Sequence, residues 1–70
     1  MNVGNYLSML TTPELKHIKA ELNLTDEENL IFDCLSRKQS INEMSMILRM
    51  STRTVDRYIS RIKQKLNKLI

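Results

Sequence analysis

Six of the eleven basic side chains of this 70-residue sequence fall in its last twenty positions, as Arg53, Arg57, Arg61, Lys63, Lys65 and Lys68, against a single acid, Asp56. Arginine offers a planar fork that bonds two acceptors at once, on a phosphate or on the O6/N7 edge of guanine. Aspartate accepts from an amine such as cytosine N4 and is repelled by phosphate. Hydroxyl and amide groups suited to phosphate oxygens stand nearby at Ser40, Asn42, Ser51, Thr52 and Thr54. Groups for bond-breaking chemistry are scarce. The one cysteine, Cys34, and the one histidine, His17, make neither an internal disulfide nor a zinc ligand set. The neighbouring acids Glu27 and Glu28 read as first-turn helix residues that favour the helix dipole. Neither catalysis nor a cofactor is expected.

The basic groups need an element to carry them, and the charge is distributed accordingly. Residues 1–23 sum to zero, residues 24–39 to −2 and residues 40–50 to zero, while residues 51–70 carry +5 of a total that is only +3. A neutral or acidic body therefore ends in a cationic rod, which attracts a polyanion such as nucleic acid or an acidic membrane surface. A chain of this length holds one domain with a small core. With three aromatics, one glycine and one proline, its composition points to an all-α fold rather than a turn-rich β-sandwich. No apolar run reaches the roughly 18–20 residues of a membrane span, and the first ten residues lack a basic leader, so a cytoplasmic protein is the expectation.

Helix starts are marked by hydroxyl residues with a glutamate three positions on, the spacing at which both side chains satisfy amides of the first turn. Thr12 followed by Pro13 predicts a helix over about 13–22 with Leu15, Ile18 and Leu22 on one face, ended by Asn23. Thr25 and Glu28 open a helix over about 26–37. Ser40 and Glu43 open a short one over about 41–48, and Ser51 caps the last, over about 52–68. In that last helix Val55, Ile59, Ile62, Leu66 and Leu69 fall at spacings of 4, 3, 4 and 3, an apolar seam that must be packed. Residues 1–10 read as an arm. Four helices in one domain are thus expected, with 1–23 as an arm plus helix and 24–66 as the core.

Two helices at a tight corner, the second of them cationic, make a helix-turn-helix, whose second helix enters the DNA major groove. Facing away from the seam are Arg53, Asp56, Arg57, Ser60 and Arg61, the expected base readers. Ser40, Asn42, Ser51, Thr52 and Thr54, at two helix starts, are the expected phosphate contacts.

From Leu24 to Leu66 the sequence resembles the LuxR/GerE type of helix-turn-helix. The residues that carry the likeness are Leu24-Thr25 and Glu28, Ile31-Phe32 and Cys34-Leu35, then Ser40, Glu43-Met44-Ser45, Leu48, Met50-Ser51, Thr54-Val55, Tyr58-Ile59, Ile62 and Lys65-Leu66. Region four of housekeeping sigma factors shares the three-helix core and is the nearest rival. The resemblance implies that Met44, Ser45 and Leu48 pack the scaffold helix, that Thr54 bonds phosphate, and that Lys65 meets the DNA backbone. Lys38 and Arg49 stand at corners where such domains often use glycine. A counterpart of the family's fourth helix, a common dimer contact, is not expected after Lys65-Leu66.

Leu30, Met46 and Ile47 are apolar where the family tends to be polar, and the helix over 13–22 is expected to cover part of that surface. Met46, Ile47, Leu66, Leu69 and Ile70 are the expected dimer or partner surface. His17 is expected to face solvent, while Cys34, Met44 and Met50 pack and Tyr58 packs with its hydroxyl near water. The resulting expectation is a DNA-binding transcription regulator acting as a homodimer on double-stranded DNA. The alternative is a protein-interaction module, or a sigma-like protein, engaging RNA polymerase or another regulator. A membrane-surface peptide is disfavoured because the seam is needed for the core.

Overall fold

A computed structural model describes residues 3–69, and within them the chain is all-α with five helices. They are α1 (Val3–Ser8), α2 (Thr12–Leu22), α3 (Asp26–Ser36), α4 (Ile41–Leu48) and α5 (Thr52–Leu69). The core draws on all five: Val3 and Leu7, Leu22, Ile31, Phe32, Cys34 and Leu35, Met44, and Val55, Ile62 and Leu66. Its radius of gyration, 11.1 Å, is that of a close-packed globule of about this length, for which roughly 11 Å is expected, so the N-terminal helices are folded against the rest.

Local bonds set the helix starts. Three capping boxes close reciprocally, at Thr11 with Glu14, Thr25 with Glu28 and Ser40 with Glu43. The first corrects the expected cap at Thr12 by one residue. A box needs glutamate three positions on, and Glu14 answers Thr11, whereas Leu15 would answer Thr12. Three corners turn through left-handed backbone at Asn23, Lys38 and Arg49 (φ 54°, 59° and 55°). At Lys38 and Arg49 the following amide returns to a carbonyl five residues earlier, Gln39 N–H to Cys34 O and Met50 N–H to Ser45 O, both at 3.1 Å. A left-handed non-glycine residue costs on the order of 1 kcal/mol, and these closures offset it.

The expected arm is instead a helix, so the count is five rather than four. Six residues do not hold a helix alone; α1 forms because Val3 and Leu7, one turn apart, are both buried where α1 packs on α3. The expected role of α2 also changes. Its Leu22 is buried, it packs on α5, and Lys19 bonds Asp33 of α3 at 2.7 Å with its ammonium 5.9 Å from the Phe32 ring centre. Leu30, Met46 and Ile47, which it was expected to help cover, remain 49%, 80% and 56% exposed.

Candidate nucleic-acid interface

The corner between α4 and α5 is built from short polar links. The Ser45 hydroxyl donates to the Met50 carbonyl across the turn, tying the end of α4 to the approach of α5. Ser51 then caps α5: its oxygen accepts from the Thr54 amide at 3.1 Å, and the two hydroxyls share a hydrogen bond at 2.9 Å. Behind the corner Met44 and Val55 are fully packed. The angle between the two helices is thus held by a buried apolar contact below and a hydrogen-bonded turn above.

With its inner edge held, α5 presents the rest. Val55, Ile62 and Leu66 have no measurable exposure, while Arg53, Asp56, Arg57, Ser60 and Arg61 are all exposed on the same helix. Among the described residues no ion pair, hydrogen bond or ring contact holds Arg53 or Arg57. Arg61 differs, because its guanidinium lies 5.5 Å from the Tyr58 ring centre. Tyr58 is half-buried and packs on the core, so the ring is a fixed platform. That contact lies at i, i+3, a helical-neighbour spacing that could have revealed it in the sequence. Ser40, Asn42, Ser51 and Thr52 are exposed at the starts of α4 and α5, and Thr54 is half-buried with its hydroxyl on Ser51.

Lys65, expected at the DNA backbone, carries its ammonium 2.7 Å from Glu28 Oε1. Glu28 is almost wholly enclosed, and its carboxylate also accepts from the Thr25 amide at 2.9 Å. Burial pushes this carboxyl up, but the Lys65 hydrogen bond, the Thr25 bonds and the Lys65 charge outweigh it and hold it below the usual carboxylate value. One acid thereby caps α3 and anchors α5, a double role that the capping pattern alone does not reveal.

The remaining expected residues separate by burial. Leu66 belongs to the core and is corrected from the partner surface, since α2 and α3 pack against that part of the helix seam. Leu69 is 42% exposed, Met46 and Ile47 are exposed on α4, and Ile70 lies outside the described residues. Cys34 is buried, and enclosure pushes its thiol up, away from reactive thiolate. His17 is exposed. Among the described residues no helix is long and apolar enough to cross a membrane.

Comparison with known proteins gives one family. The model of GerE, bacterial regulatory proteins of the luxR family, matches residues 22–68, from the end of α2 almost to the end of α5. No curated protein and no solved structure matches significantly.

Proposed function

The chain belongs to the luxR family of bacterial regulatory proteins, a family of DNA-binding regulators, and from that premise we propose that it reads specific DNA sequences with α5 in the major groove. The observation that carries this reading is the two-sidedness of α5, fully buried along Val55, Ile62 and Leu66 and exposed along Arg53, Arg57 and Ser60. A helix so anchored cannot retract its cations, and its outward arginines meet base edges at no cost in lost ion pairs. Asp56 adds an acceptor for cytosine. The exposed groups at Ser40, Asn42, Ser51 and Thr52, with Thr54, sit where free amides of two helix starts favour phosphate.

The protein acts as a homodimer on a short palindrome, with recognition helices about 34 Å apart on one face of the duplex. Titration of a mixed DNA pool at two salt concentrations tests the reading. Sequence-selective retention with a steep salt slope is expected, each neutralised phosphate adding about 0.9 to the logarithmic slope. Retention that ignores both sequence and salt would overturn it.

A second reading rests on Met46 and Ile47, neighbouring residues of α4 that are both exposed. In it this apolar face engages RNA polymerase or another regulator. Replacing both by serine should then leave DNA affinity intact and abolish the transcriptional effect, and an unchanged transcriptional effect would remove this reading.

A further inference from the structure

Resting on the placement of α5 in the major groove, we propose that the helix divides its polar surface by angle. Arg61 and Lys63 grip the two phosphate backbones that wall the groove, and Arg53 and Arg57 read the bases at its floor. This reassigns Arg61, which the sequence pattern places among the base readers, and adds Lys63 and, as a positioning residue, Tyr58.

The geometry has three parts. Residues two apart on an α-helix diverge by about 160°, so Arg61 and Lys63 cannot both face the floor of a groove. Measured from the buried line through Val55, Ile62 and Leu66, the directly opposite stripe holds Arg53, Arg57, Ser60 and Gln64, and Arg61 and Lys63 fall on its two flanks, with Asp56 two turns before Lys63 on the same side. Second, Arg61 is drawn further to its flank by Tyr58, whose ring lies one turn back toward the core. That flank also carries Thr54, two turns earlier, so a hydroxyl and a guanidinium form a row along one wall. Third, Lys63 lines a concavity of about 430 Å³ together with Lys38 and Ser40, between the start of α1, the corner joining α3 to α4, and α5. The second wall therefore has two ammonium groups and the capping residue of the scaffold helix. Arg53 and Arg57, held by no partner among the described residues, retain the rotamer freedom that bidentate pairing to a base edge requires.

The two roles differ in what they do to specificity, since a phosphate contact carries no sequence information. The test measures affinity of the full chain for a selected site and for a scrambled duplex across a salt series. Arg61→Ala and Lys63→Ala should each weaken both duplexes by the same several-fold factor and lower the salt slope by about 0.9, leaving the ratio of the two affinities unchanged. Arg57→Ala should lower that ratio roughly five- to hundredfold. Tyr58→Leu should reproduce part of the Arg61→Ala loss and add nothing to it in the double variant, whereas Tyr58→Phe, which keeps the ring, should match the parent. Thermal melting of each variant shows which remain folded, and Tyr58→Phe and Arg61→Lys carry the comparison if Tyr58→Leu does not fold; Arg61→Lys should retain the slope. A fall in the affinity ratio on losing Arg61 or Lys63, or an unchanged salt slope, overturns the division of labour alone. A chain that binds no duplex overturns the placement of α5 and the division with it.

Discussion

Two cations of α5 a little over two turns apart have opposite fates. Lys65, on the inner flank, is joined to the enclosed carboxylate of Glu28 and helps fasten α5 to α3. Arg57, on the outer face, has no partner among the described residues that holds it. Both belong to the same run of positive charge, yet one is structural and the other available to a ligand. The difference teaches that net charge locates a functional helix, whereas the number of cations it can offer is set by the carboxylates that fold onto it. A charge whose partner is already buried has little left for phosphate.

The contrast can be broken from the inside first. Ile62→Ala, at a site with no exposure, should cost about 2–5 kcal/mol and abolish DNA binding through loss of the fold, as read by chemical denaturation. In a core this small such a loss consumes much of the total stability.

Removing the carboxylate sharpens the comparison. Glu28→Gln keeps the volume but strips the charge from the Lys65 pair, and should cost about 1–2 kcal/mol, limited because Lys65 still reaches water. The same pair sets a pH dependence. The folded carboxyl titrates below its unfolded value, so its contribution is complete above the unfolded pKa and is lost as pH falls through the folded one. Melting temperature should hold level from neutrality and fall below about pH 4.5, with a shallower fall in Glu28→Gln. Glu14, held low by its bonds to Thr11, titrates with the same sign in the background.

On the outer face the effects move from stability to binding. Arg57→Ala should change stability by less than about 0.5 kcal/mol while costing roughly 1–3 kcal/mol on the preferred DNA site. A stability loss comparable to that of Glu28→Gln would mean that Arg57 has a partner in the folded chain and would erase the contrast. The smallest change expected is at the corner, where Arg49→Gly relieves left-handed strain and should stabilise by up to about 1 kcal/mol, measured by urea titration.

Most of the helical framework was legible because it is written in short-range bonds. Thr25 with Glu28 and Ser40 with Glu43 mark the starts of α3 and α4 in the chain itself, and the folded helices begin there. Asn23, Lys38 and Arg49 end or turn the preceding helices as their positions suggested. At Thr11 and Thr12 the glutamate spacing and the following proline point to different caps, and the spacing prevails because Glu14 closes a reciprocal box with Thr11. The helix α1 is not legible in the sequence, because one pair of apolar residues, Val3 and Leu7, is too little for a periodic signal and its stability comes from α3. Leu66 and Leu69 belong to one seam, and no local rule says that the first is sealed while the second is 42% exposed.

By itself the sequence determined where α3, α4 and α5 begin and which side of α5 is greasy, since amide bonds three and four residues apart and a 3.6-residue period need no distant partner. Only the folded chain decided that Lys65 answers an acid 37 residues away and that α2 lies on α5 and leaves Met46 bare. Such pairings depend on how several helices share one small interior, and that balance is struck over all of them together rather than residue by residue.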